Sequence, residues 1–406
     1  MPYALCPAQR GFFSTMIEHN FNSQRIHRMV SHGPTVRFGR FFLIGLLWIG
    51  CAGPGGLTEP ILDTPEHHVY SGFRLIKKAR LDDARREFEQ ALRLRPDYSP
   101  AYRGMGLVSG MKGDLKEGFQ LMEQARECSE NKEQVALAYV GLMRLHAMER
   151  NEGWFDAVER NFAQANALAK DLPDAYYAMG LAYSRAYRMG EARASFNRVI
   201  EINKSLTSEA REQLDLIETI EAADPSSPEG KRLAFVNPIT RAETATLLIH
   251  ELAVDLIYTG KVLKRTGHIP EKEHPNKDGP VPTDVVHHAV RGDIQRILTL
   301  NIRGLRPFED GTFGPDDCIT RAAFAMVMAD IVMTLEEDPT LAVGYVGVAS
   351  PFEDVEKHAA YFNAVMVCKK HGAIMEGKNR FFHPMGTVSG AQALLVIRKL
   401  KKEYNL

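Results

Sequence analysis

The segment Phe308–Phe324, FEDGTFGPDDCITRAAF, decides how the second half of this chain is read. Asp310-Gly311 is a turn signal, because glycine accepts the positive φ that tight turns demand. Phe313 supplies a ring for a core, and Pro315 stops a helix from extending backwards. Thr320 is placed to cap a new helix by accepting a free backbone N–H. Beyond it, Ala322, Phe324, Ala325, Met328 and Ile331 recur at helical spacing. Arg321 falls in the first turn, where a cation faces the positive helix end. A cation so placed needs a compensating partner, such as an anion.

The pattern recurs. Pro238-Ile239-Thr240-Arg241-Ala242-Glu243 repeats the Ile-Thr-Arg-Ala core and leads into an amphipathic helix, Leu247 to Leu256. Phe382-His383-Pro384 keeps the Phe-x-Pro frame, with Ser389-Gly390 where Thr-Arg would stand, and Pro351-Phe352-Glu353-Asp354-Val355 opens that last copy. Over about residues 232–402 the chain resembles the S-layer homology family. Its units read roughly F-x-D, helix, G-x-x-x-G, D-G-x-F-x-P, I-T-R-A-E. The resemblance implies a mostly helical pseudo-trimer of units near 232–262, 283–336 and 351–402. It also implies grooves in which Arg241 and Arg321, with Thr240 and Thr320, hold an anionic cell-wall glycan, often one bearing a ketal-linked pyruvate. The physics suits that role, since a planar guanidinium grips a carboxylate bidentately and a helix N-terminus adds positive potential. The alternative is an internal ion pair, such as Arg241 with Glu243. The third groove, with Gly390, lacks the anion clamp, and the first unit is truncated. Within these units Asp284 to Leu300 reads as a helix capped by Asp284, and Glu356 to His371 as another. The stretch Gly267 to Thr283 reads as a long exposed loop.

From about His67 to Pro225 the pattern is helical throughout. Gly72 and Gly106, Ala84 and Gly118, Phe88 and Met122, and Ala91 and Ala125 form pairs 34 residues apart. That period and those small residues resemble the tetratricopeptide repeat. Four units are expected over 67–223, the third carrying an extra turn near Arg150–Gly153, with a capping helix from Thr207 to Ala222. The resemblance implies a superhelix whose first helices line a groove for proteins or peptides. On or near those helices lie Tyr102, Arg103, Tyr139, Arg144, Tyr176 and Tyr177, which ordinary repeat packing explains equally well. Asp224 to Lys231 reads as an inter-domain linker. The fold class is therefore all-α: a superhelix of helical hairpins, then the S-layer homology units.

Upstream, Arg37 and Arg40 precede the apolar run FFLIGLLWIG, 41–50, then Cys51 and a glycine-rich tether to residue 66. The run is too short for a stable bilayer span. It resembles a bacterial lipoprotein signal, which implies acylation of Cys51 and a membrane anchor, with Met29 as an alternative start. An ordinary cleaved signal or a buried hairpin is the competing reading.

The chain has 406 residues, five cysteines without metal spacing, and a formal net charge of -1, which gives no electrostatic case for nucleic acid. The cysteines other than Cys51 read as buried thiols. His287-His288 point about 100° apart on a helix and do not share a metal easily. No nucleophile elbow, P-loop or H-E-x-x-H occurs, so neither metal, cofactor nor catalysis is expected. The expectation is a non-catalytic envelope lipoprotein on the periplasmic side of an outer membrane, tethered to wall glycan and binding proteins in its repeat groove. The alternatives are an assembly adaptor for an export machine without glycan binding, and a hydrolase hidden in 232–406.

Overall fold

The computed structural model describes residues 63–266, 281–374 and 380–406. The N-terminal extension, the lipoprotein-like signal, Cys51 and most of the 267–283 loop lie outside the described residues.

Four antiparallel hairpins come first: α1 (Pro65–Lys77) with α2 (Leu81–Leu94), α3 (Ser99–Met111) with α4 (Leu115–Glu127), α5 (Lys132–Glu149) with α6 (Trp154–Leu168), and α7 (Pro173–Arg185) with α8 (Met189–Ile202). Their starts follow capping chemistry. Thr64, Asp114 and Asn131 accept the free N–H of His67, Glu117 and Gln134, and Pro65 and Pro173 open α1 and α7. Along α2, Leu81, Ala84, Phe88 and Ala91 are buried at helical spacing. The glycine at the head of each period is steric, because a Cβ at Gly72 would sit 2.6 Å from the Phe88 ring, and one at Gly180 the same distance from Phe196. Truncating such a buried Phe costs about 3–5 kcal/mol. The 34-residue recurrence is therefore the spacing of one glycine and one large side chain that fill each other's place. The longer α5 absorbs the extra turn before Trp154.

The capping helix α9 (Thr207–Ala223) does more than close the superhelix. It packs against α16 (Gly390–Tyr404), and its Ile220 and Ala223 belong to the C-terminal core. The expected linker is not slack. Pro228–Leu233 forms α10, capped by Ser227 and packed on α11 (Arg241–His250) and α16. The buried carboxylate of Glu251 accepts from Ser226 N (3.2 Å), Ser226 Oγ (3.1 Å), Ser227 N (2.7 Å) and Ser227 Oγ (2.6 Å). A Pro/Ser-rich stretch reads as a tether only until a buried acceptor is found for its donors.

The remaining helices are α12 (Val254–Thr266), α13 (Arg291–Leu300), α14 (Arg321–Glu336) and α15 (Phe362–Lys370). Several expectations shift. The helix after Thr240 is not amphipathic: it is buried at nearly every position, ends at His250, and α12 resumes at Val254 past Ala253 at φ +52°. Residues 283–285 form one 3-10 turn, and the helix proper begins at Arg291 rather than Asp284. α15 begins at Phe362, after a run of turns from Glu356.

Candidate functional sites

Helices α11, α14 and α16 begin alike. Thr240, Thr320 and Ser389 accept the N–H of Glu243, Ala323 and Gln392, with reciprocal capping boxes at Glu243 and Gln392. The next free N–H groups of each helix are taken by another unit. Arg241 N and Ala242 N donate to Asp317 O and Pro315 O of the second unit. Arg321 N and Ala322 N donate to Gly386 O and Pro384 O of the third. Gly390 N donates to Val236 O of the first, and Ile239 N to Val388 O. Three helix starts thus close a ring of units, each satisfying donors that a helix end leaves orphaned.

The two arginines fit this ring differently from the expectation of open anion clamps. Arg241 is 6% exposed. Its Nε donates to Phe313 O, Nη1 to Gly304 O and Nη2 to Arg306 O, each at 2.8 Å. Its guanidinium carbon lies 4.6 Å from the Phe308 ring centroid and 4.8 Å from that of Phe313. Burial pushes its pKa down, opposed by Asp317 and Asp284. Arg321, 7% exposed, donates from Nε to Phe382 O at 2.6 Å and lies over the Phe382 ring. The cation in the first helical turn is compensated by backbone carbonyls and aromatic faces of the next unit. The Glu243 carboxylate serves the Thr240 N–H at 2.9 Å.

The loops those arginines hold are also gripped from the other side. Asp284 accepts from Phe313 N and Gly314 N, the latter at 2.7 Å, and Asp354 accepts from Phe382 N (2.7 Å) and His383 N (2.6 Å). Asp284 is a loop anchor, not a helix cap. The signal was present in the sequence as two copies of an acid before valine, Asp284-Val285 and Asp354-Val355. Asp310 accepts from Thr312 N at 2.9 Å and shapes the turn, with Gly311 at φ +81°. The departure at Gly390 has a steric cause: an added Cβ would overlap the Leu233 carbonyl oxygen. No arginine fits where the first unit's backbone crosses.

Residues 351–394 match the S-layer homology domain family, and residues 173–206 match the tetratricopeptide repeat. The chain carries a tetratricopeptide repeat and an S-layer homology domain. No curated protein matches it. The first module is a protein-interaction element, and the second implies association with the cell envelope and its wall glycan. Both are binding modules without chemistry of their own.

In the tetratricopeptide superhelix, α3, α5 and α7 pack side by side as first helices. The structure brings together Arg103, Arg144 and Tyr177 on them, with Asp174 and Arg185, which the sequence reading missed. Asp174 of α7 acts electrostatically on both Arg103 and Arg144, and Arg144 on Arg185. Arg103 also lies over the Phe73 ring, 5.1 Å away. Tyr102, Tyr139 and Tyr176 each make local contacts. Tyr102 Oη donates to Pro96 O, Tyr139 joins two neighbouring clusters, and Tyr176 stands edge-on to Phe162 beneath Arg198.

Among the described cysteines only Cys368 is buried; Cys318 is exposed and Cys128 intermediate, which corrects the expectation of uniformly buried thiols. Among the described residues no helix is long and apolar enough to cross a membrane.

Proposed function

We propose that this protein is a non-catalytic envelope tether. Cys51 is acylated and holds the chain to a membrane, the S-layer homology ring docks on an anionic wall glycan, and the tetratricopeptide groove binds a protein. The observation that carries the reading is the closed ring of three units in the same chain as a repeat superhelix. An outer membrane, with the protein facing the periplasm, is the proposed location. In this reading Thr240 and Thr320 set the helix starts. Arg241 and Arg321 shape the two grooves, and the two Arg241 N–H groups beyond its three carbonyl bonds meet the glycan.

Sedimentation of the purified Cys51→Ser protein with isolated wall sacculi tests the docking. Co-sedimentation that disappears when anionic polymer is stripped from the wall supports it. In parallel, growing cells fed a palmitate analogue should label the wild-type chain and not Cys51→Ser.

A second reading is favoured by the filled third position at Gly390 and by the engaged guanidinium of Arg241. In it the ring is only a docking module of an assembly adaptor for a secretion or polysaccharide-export machine. Failure of the protein to sediment with intact sacculi selects this reading.

A further inference from the structure

The outward faces of α9 and α16 carry opposite charge. On α9, Asp215, Glu218 and Ala222 recur at i, i+3 and i+7 and share one exposed face. On α16, Leu395, Lys399, Lys402 and Leu406 recur at i, i+4, i+7 and i+11, with exposed Arg398 alongside. Their other faces are spent on the C-terminal core, through Ile220 and Ala223 on α9 and Leu394, Ile397 and Leu400 on α16. The outward faces meet along a hollow of about 560 Å³ lined by Ala222, Leu395, Arg398, Lys399, Lys402 and Leu406.

These charges are not neutralised within the chain. Among the described residues, Asp215, Glu218, Lys399 and Lys402 make no ion pair, whereas Glu209 is held by Lys77 at 3.1 Å, Glu221 by Arg193, and Arg398 by Asp224 at 3.4 Å. Burial, then the like charge of Glu209 and Asp215, pushes the Glu212 carboxyl up, with Lys77 opposing. The helix dipole favours cations in the last turn of α16, but it gives no reason for carboxylates in the middle of α9. Arg211 and Glu403 are the minority charge of each helix end.

An acidic row beside a basic row is complementary to a copy of itself turned about a two-fold axis, since each row then meets its opposite. A polyanion or an anionic membrane would be drawn to α16 and repelled by α9. We propose that this face is the contact of a two-fold dimer, with Asp215 and Glu218 of each copy against Lys399 and Lys402 of the other. The proposal is independent of the wall and groove readings. A contact confined to two helix faces belongs to the small, weak class of interfaces. The dimer therefore forms at roughly 10–100 μM and dissolves as salt screens the rows.

The test is sedimentation velocity of the full Cys51→Ser chain up to about 100 μM, in low and high salt. A dimer is expected at low salt and a monomer at high salt. Lys399→Glu with Lys402→Glu, and separately Asp215→Lys with Glu218→Lys, should each weaken the dimer at least about tenfold. All four side chains are exposed, so both variants should melt as the parent does. Mixed in equal amounts, the two variants should form a heterodimer, because both pairs of rows are then opposite again. A parent chain that stays monomeric at low salt overturns the proposal, as does a dimer that both variants keep or a mixture that stays monomeric. Monomer at low salt, with retention on heparin that the lysine variant loses, would instead make the α16 row a polyanion site.

Discussion

Arg241 Nε donates to the Phe313 carbonyl oxygen at 2.8 Å, and the same guanidinium sits 4.8 Å from the centroid of the Phe313 ring. One side chain from the first C-terminal unit therefore holds both the backbone and the aromatic anchor of the second. Arg241→Ala leaves three inward-facing carbonyls without their donor. It is expected to cost about 3 kcal/mol or more, read as a lower midpoint in urea unfolding. Arg241→Lys replaces one donor of three and should recover only part. Unchanged stability in both variants would show that the guanidinium is not holding this loop.

Gly390 lies against the Leu233 carbonyl oxygen, so any Cβ forces the start of α16 away from the first unit. Gly390→Ala should lower stability by about 1–3 kcal/mol. Gly390→Arg, which puts back the arginine that the other two units carry at this position, should be worse rather than better. A melting temperature for Gly390→Arg at or above wild type would remove the steric account.

Glu251 gathers four donors from Ser226 and Ser227. Glu251→Ala strands them at the junction between superhelix and ring, with an expected loss of about 2–4 kcal/mol. Amide hydrogen exchange should quicken first across residues 226–233. Exchange that quickens only in the distant α1–α2 hairpin would argue against this junction.

His68 lies between Asp63 and Glu87, both at 2.8 Å, and the hydrogen bond to Asp63 leads in raising its pKa above the ordinary 6.5. Its contribution to stability is fully present below pH 6.5 and is lost as pH rises through the higher folded-state value. The difference in melting temperature between wild type and His68→Gln should therefore shrink on going from mildly acidic to mildly alkaline buffer. A difference that grows with pH would contradict the assignment.

The local features were legible in the sequence because their causes are local. Asp310-Gly311 turns, Thr320 caps, Phe313 is fully buried, and the 34-residue recurrence marks a glycine packed against a large side chain, Phe88, Met122 or Phe196. What escaped depends on partners far along the chain. Arg241 meets carbonyls 63, 65 and 72 residues away, so an odd cation at a helix start was visible while its satisfaction was not. Asp284 was taken for a cap because a carboxylate before a helix fits that local rule, whereas its donors sit 29 and 30 residues on. Arg185 went unnoticed because its partner, the Ala147 carbonyl on α5, lies 38 residues back. The supposed linker failed for the same reason: the acceptor that orders Ser226 and Ser227 lies beyond α11.

The packing of α9 on α16 has a mechanical consequence. A force applied to the superhelix passes through its terminal helix straight into the last helix of the C-terminal units, and from there around a closed circuit of units. Such a joint transmits force as a strut does, and it yields all at once rather than paying out slack.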